Sequence, residues 1–327
     1  MDNLLNLIFK TTSVEPSYDK GLCLAANRAT HCTRCREVCP HEAISIRRQV
    51  EIDEVDCTGC GLCIQVCPTQ ALEPKVSYDS GASVRCSRVK GSAQSILCLG
   101  RLQASDLLRL VGSREGATLA RGDCATCPIG SAAIADAVEV VREEALELAK
   151  LHDREVKIEV IETETFDDDS RGQTLSRRQL LRGGWRSLQE RAGEALAPLD
   201  PGPQPGEAGH GQPLELRRRF RILAAADPAP SAKVPWVLPR VNDDCIMCPA
   251  CTKACPTGAF DRVFEADGDG VLLLQPELCV GCEACVSACP VGAIGMDAEV
   301  SWGELSAGQQ EAYRRDPERE RPGTFAR

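Results

Sequence analysis

Residues 57–68 read Cys57-Thr58-Gly59-Cys60-Gly61-Leu62-Cys63-Ile64-Gln65-Val66-Cys67-Pro68, a C-x2-C-x2-C-x3-C-P block. The spacing returns without deviation at Cys245, Cys248, Cys251, Cys255 and Pro256, and again at Cys279, Cys282, Cys285, Cys289 and Pro290. A fourth block, Cys32, Cys35, Cys39 and Pro40, has Ala29 where its first cysteine would stand, and Cys23 lies upstream. Three thiolates on one tight loop can cap three irons of a [4Fe–4S] cubane, while the fourth, before proline, points away. Proline has no N–H and a fixed φ, so the chain leaves the loop in a set direction. Gly59, Gly61 and Gly281 let backbone N–H groups approach the sulfides, and those hydrogen bonds help set the potential. Zinc sites use two C-x2-C pairs instead, and a disulfide framework would not repeat this spacing. In the incomplete block Cys23 is the expected fourth ligand; a water, a three-iron cluster or a ligand from elsewhere are the alternatives.

Outward from these blocks, the chain has 327 residues, 20 of them cysteine, with 43% apolar residues and a net charge of −10. That length suggests two or three domains at about 150 residues each. With only 3 Trp, 3 Tyr and 6 Phe, a single large aromatic core is not expected. No apolar run approaches the roughly 18 residues that cross a bilayer. The first 20 residues lack a basic head, a long apolar stretch and a cleavage site, so no signal peptide is expected and the location is read as cytoplasmic. In that reducing compartment cysteines serve as metal or redox ligands rather than disulfides. The acidic balance disfavours nucleic acid and suits docking on basic patches of a redox partner.

The paired arrays at 23–67 and 245–289 resemble bacterial two-cluster ferredoxins. The short apolar runs at 43–46, 50–53 and 270–274 fit that family's strands. The resemblance implies crossed ligation. Cys23, Cys32, Cys35 and Cys67 would hold one cubane, and Cys57, Cys60, Cys63 and Cys39 the next. Cys245, Cys248, Cys251 and Cys289 would hold the third, and Cys279, Cys282, Cys285 and Cys255 the fourth.

Cys86, Cys98, Cys124 and Cys127 remain, as C-x11-C-x25-C-x2-C. Strands are expected at 95–97, 117–120 and 156–161, and helices at 103–110 and 129–151. That order makes a compact α/β unit with a parallel sheet. Loops after parallel strands share one sheet edge, which would let Cys98, Cys124 and Cys127 converge. Residues 95–102 with Gly122-Asp123-Cys124 resemble the iron–sulfur delta subunit of methyl-viologen-reducing hydrogenases, and are similar to thioredoxin-like two-iron ferredoxins. A [2Fe–2S] cluster is the first choice at these four cysteines; a zinc site or buried free thiols are the alternatives.

The fold class expected is α+β: two ferredoxin-like dicluster modules (1–78 and 234–300) flank the α/β module with its fifth four-cysteine site (79–165). A basic helical segment (166–198), a flexible Pro/Gly-rich linker (199–233) and a charged C-terminal tail (301–327) complete the chain, and the linker is expected to make the halves separate cooperative units. Within 174–196, Arg177, Arg178, Arg182, Arg186 and Arg191 surround Leu180, Leu181, Trp185 and Leu188. With Pro235-Trp236, this stretch looks like accessory ferredoxins of periplasmic nitrate reductase systems. His31, His41, His152 and His210 form no catalytic constellation, and exposed positions are expected for His31 and His41. There is no Walker loop and no G-x-G-x-x-G fingerprint. The expected function is one-electron relay as a subunit or soluble partner of a larger cytoplasmic oxidoreductase, with a molybdoenzyme such as a formate dehydrogenase or nitrate reductase as the implied partner. An assembly factor for such a molybdoenzyme is the alternative. A thiol-dependent enzyme using Cys124 and Cys127 is a further rival; no substrate site is visible.

Overall fold

Each cysteine block contains a helix of only four or five residues, ending just before its last cysteine and too short to hold itself in water. The computed structural model, describing residues 14–25, 31–165, 211–264 and 270–315, shows how these helices are held. The N-terminal segment runs β1 (Ser17–Tyr18), α1 (Arg34–Val38), β2 (Ile44–Ile46), β3 (Val50–Ile52), α2 (Leu62–Gln65) and β4 (Leu72–Glu73). β2 and β3 form an antiparallel hairpin with Ile44 opposite Ile52, and β1 pairs antiparallel with β4. Cys35, Ile44, Val50, Ile64 and Leu72 fill the space between strands and helices.

The middle segment runs β5 (Val84–Cys86), β6 (Gln94–Ile96), α3 (Ala104–Val111), β7 (Gly116–Arg121), α4 (Ala133–Lys150) and β8 (Lys157–Glu162). The four strands form a parallel sheet in the order β6-β5-β7-β8. The expected strands and α3 are present within a residue or two. α4 starts at Ala133, not 129, and β5 was not expected at all. Three residues are too few for a periodic pattern, so nothing local announces β5. Because β5 and β6 are so short, residues 87–93 can return the chain for a parallel pairing. The Arg85 guanidinium holds that return, donating to the carbonyls of Val89, Gly91 and Ala93. Ile134, Val138, Val141, Ala145 and Leu148 form the buried stripe of α4, at the i, i+4, i+7 spacing of an amphipathic helix.

Two expectations need correction. Within the expected linker 199–233, the chain forms α5 (Leu214–Ala226). The composition of 199–213 masked the stripe of Leu216, Phe220 and Leu223 that follows it, and Leu223 is fully buried. Its first turn is satisfied from the N-terminal segment: the Leu214 N–H donates to Glu73 Oε1 (3.1 Å) and the Leu216 N–H to Gln70 Oε1 (3.1 Å). Nor is the chain after 300 a tail as far as 315, as its last elements show.

The C-terminal segment runs β9 (Leu238–Val241), α6 (Ala250–Ala254), β10 (Phe260–Phe264), β11 (Gly270–Leu274), α7 (Ala284–Ala288), β12 (Ile294–Asp297), α8 (Trp302–Leu305) and β13 (Gln310–Arg314). β9 pairs with β12, and β10, β11 and β13 form an antiparallel sheet. Ser301 caps α8, its Oγ accepting from the Glu304 N–H (3.2 Å). The halves are not separate units. Leu62, Val84, Leu119, Leu148, Leu223, Trp236, Leu238 and Leu305 belong to one buried core. The basic segment at 166–198 lies outside the described residues, as do 199–210 and 316–327. The described chain mixes helices with small sheets, consistent with the α+β class.

Candidate functional site

The cysteine loops are shaped by backbone at positive φ. Between the first two cysteines of the blocks, Gly59, Met247 and Gly281 have φ of 71, 57 and 71°. His31 holds the same place in the incomplete block with φ 45°, so that loop keeps its turn although Ala29 replaces a thiol. The turn aims the Gly59, Met247 and Gly281 amides at the sulfurs of Cys57, Cys245 and Cys279.

After each Cys-Pro pair a second turn recurs, with Glu42, Gln70, Gly258 and Gly292 at φ 52–69°. It carries the next amide back to the cysteine. The Ala71 N–H donates to Cys67 Sγ (3.3 Å), that of Ala259 to Cys255 Sγ (3.2 Å) and that of Ala293 to Cys289 Sγ (3.2 Å). The sequence marks these alanines by a C-P-x-x-A signature that closes all four blocks, with Ala43 the fourth instance. All four alanines are buried where little side chain fits. Thr69 and Thr257, also buried, place Oγ1 3.7 Å from Cys67 Sγ and 3.5 Å from Cys255 Sγ.

The structure brings the expected ligands together. Cys23, Cys32, Cys35 and Cys67 line one cavity, with the Tyr18 hydroxyl against Cys23. Cys39, Cys57, Cys60 and Cys63 line a second, and Cys255, Cys279, Cys282 and Cys285 a third. Cys245 lies with Cys248, Cys251 and Cys289. His41 lines the second cavity and is half-buried, its Nε2 3.2 Å from the Ile129 carbonyl oxygen, which corrects its expected exposure; His31 is exposed as expected.

The remaining four cysteines share a cavity of their own at the C-terminal edge of the parallel sheet. Cys86 ends β5, Cys98 follows β6, and Cys124 and Cys127 follow β7. The connections leaving β5 and β7 run in opposite directions across the sheet, and such a switch point opens a crevice at the strand ends. Asp123 turns the 124–127 loop, accepting from the Ala125 N–H (2.9 Å) and the Thr126 hydroxyl (2.7 Å). Arg88 and Arg121 also line this cavity.

Burial pushes these thiols up. Cys35 and Cys251 rise to about 11, Cys98 and Cys279 to about 12, and Cys63 well above the usual thiol range. Neighbouring thiols add to the rise, so four thiolates in one buried group require a bound cationic centre, and loading it releases protons. No cysteine forms a disulfide. Among the described residues, no three His, Cys, Asp or Glu side chains converge tightly enough to hold a single metal ion. Four cysteines to a cavity, on loops with the C-x2-C-x2-C-x3-C-P spacing, are a donor set that fits an iron–sulfur cluster. Among the described residues no helix is long and apolar enough to cross a membrane.

Comparison with known families agrees with this geometry. Residues 17–71 match a 4Fe-4S dicluster domain, and residues 240–296 match another. No curated protein was found to match the chain. The two cysteine-rich segments are 4Fe-4S dicluster ferredoxin domains, which supports an iron–sulfur electron-transfer role.

Proposed function

We propose that the chain is a polyferredoxin holding four [4Fe–4S] clusters and a fifth centre, and that it relays electrons as a subunit or soluble partner of a larger cytoplasmic oxidoreductase. The observation that carries this reading is the distribution of all 20 cysteines into five groups of four. Two dicluster modules would use the crossed ligand sets given above. The clusters supply one-electron chemistry; the chain supplies thiolates, amide donors to sulfur, and walls that keep water out. At Cys86, Cys98, Cys124 and Cys127 we favour [2Fe–2S] over zinc. The resemblance of residues 95–102 with Gly122-Asp123-Cys124 to two-iron ferredoxins supports that choice.

A net charge of −10 favours a partner with a basic docking face. A molybdoenzyme such as a formate dehydrogenase or nitrate reductase suits the resemblance of 174–196 to nitrate reductase accessory ferredoxins. That same stretch is what favours the assembly-factor alternative, and it lies outside the described residues. Metal analysis tests the core of the reading. Anaerobically purified protein should hold about 18 irons and about 18 sulfides. About 16 irons with one zinc would reject the two-iron centre, and about ten irons would remove a whole dicluster module.

A further inference from the structure

Arg101 sits in the 3-10 turn Leu99–Arg101 that follows Cys98, and it is only 5% exposed. Its Nη1 donates to the carbonyl oxygens of Val14 (2.7 Å) and Gly59 (3.2 Å), and Nη2 to that of Lys75 (2.9 Å). Its hydrogen bonds among the described residues all go to neutral carbonyls; none goes to a carboxylate. A buried guanidinium without an anion is costly, so its place needs an explanation. Burial works against its charge, and what favours it is the ionised form of Cys57, Cys98, Cys63 and Cys60, which belong to two different groups.

The two groups share a wall of bare backbone. A Cβ on Gly100 would stand 2.7 Å from the Cys60 carbonyl oxygen, and one on Gly61 would overlap the Gly100 carbonyl. The Gln65 side chain bridges the wall, donating to the carbonyl oxygens of Gly100 and Leu102 (2.8 Å each).

We propose that Arg101 is the shared counter-charge of the Cys39/Cys57/Cys60/Cys63 site and the Cys86/Cys98/Cys124/Cys127 site, which lie close enough across this wall for the charge of each to be felt at the other. This rests on the reading of both as iron–sulfur centres. One buried cation favours the more negative, reduced state at both sites.

Potentiometric titration followed by EPR tests the proposal on the anaerobically purified full chain, with Cys60→Ser and Cys98→Ser used to assign signals. Arg101→Met should lower the potentials of both sites and leave those of the C-terminal domain unmoved. Arg101→Lys keeps the charge and should recover most of the shift. A shift at one site only, no shift with iron content intact, or Lys behaving as Met would overturn the proposal and leave Arg101 a structural clamp. Should Arg101→Met lose its iron, Cys98→Ser decides. Removing the anionic fifth centre should raise the potential of the Cys57 site, and an unchanged potential there overturns the coupling. Metal content of the wild-type chain separates the two levels: zinc or no metal at the fifth site ends the parent reading, whereas unmoved potentials with that centre present end only the coupling.

Discussion

In the N-terminal dicluster domain the outer strand pair, β1 with β4, is two residues long, and the hairpin, β2 with β3, three. In the C-terminal domain the corresponding pairs are four and five residues long, and β13 adds a third strand to the hairpin. The same cysteine spacing is thus supported in two ways. The C-terminal domain extends its own sheets. The N-terminal one leans on the parallel-sheet module: Thr58 Oγ1 donates to the Ile129 carbonyl oxygen (2.5 Å), Gln65 and Arg101 bridge to the cysteine loop, and α5 closes over Gln70 and Glu73. A loop that holds a cluster needs fixed backbone around it, and the source of that rigidity can lie inside or outside the motif.

The contrast is broken or sharpened most strongly by removing ligands. Cys60→Ser should cost about four irons and also disturb the spectrum of the fifth centre, because residues 60–61 and 100–101 share a wall. Cys282→Ser should cost a similar amount of iron and leave the fifth centre's spectrum intact. Iron analysis with EPR checks both, and equal disturbance of the fifth centre by the two variants would erase the distinction.

Next in size is the core beneath α5. Leu223 is fully buried, so Leu223→Ala should destabilise by about 2–5 kcal/mol. If α5 chiefly supports the N-terminal domain, iron loss in denaturant should begin there, before the C-terminal clusters bleach.

Glu215 gives a smaller and pH-dependent effect. Its carboxylate is buried and accepts from the Ser105 N–H (3.0 Å) and hydroxyl, and burial raises it above its ordinary value of 4.5. A carboxyl raised in the folded state binds protons more tightly there than in the unfolded chain. Its contribution to stability is therefore full below about 4.5 and declines as pH rises through the folded value. Glu215→Gln keeps an acceptor for the Ser105 amide and avoids burying a charge, so its stability relative to wild type should improve from pH 5 to pH 7.5. Glu215→Ala leaves that amide without a partner and should cost about 1–3 kcal/mol. Denaturation midpoints at the two pH values check the pair.

The smallest expected change treats the two domains alike. Thr69→Val and Thr257→Val each remove a hydroxyl near a cysteine sulfur, at Cys67 and Cys255. Each should slightly lower the potential of the site its cysteine lines, with iron content unchanged. Unmoved potentials would mean that those hydroxyls do not donate to sulfur.

Much of this was legible in one dimension. Cysteine spacing announces cluster loops because three ligands must come from one tight turn, and the strands at 44–46, 50–52 and 270–274 declare themselves by β-branched and apolar residues. The C-P-x-x-A signature was equally readable and was overlooked because alanine carries no chemistry of its own; its meaning lies in the amide behind it. Against this, α5 was hidden by the Pro/Gly-rich run before it, and β13 by the charges around it, since an amphipathic element needs a core to face before its pattern has meaning.

By itself, then, the sequence determined which thiols could act in sets, since ligation within each loop is local and depends on spacing alone. It also determined the two dicluster domains and the alternation of strand and helix between them. Only the tertiary structure decided that β5 sits at the centre of the parallel sheet, which is what carries Cys86 to the edge that Cys98, Cys124 and Cys127 share. Only it decided that Arg101 lies buried between two cysteine groups. Those outcomes depend on crossovers and on backbones touching across long separations in the chain. There the residues involved, such as Gly61, Gly100 and Val84, are chosen for the space they leave or fill, which no local pattern records.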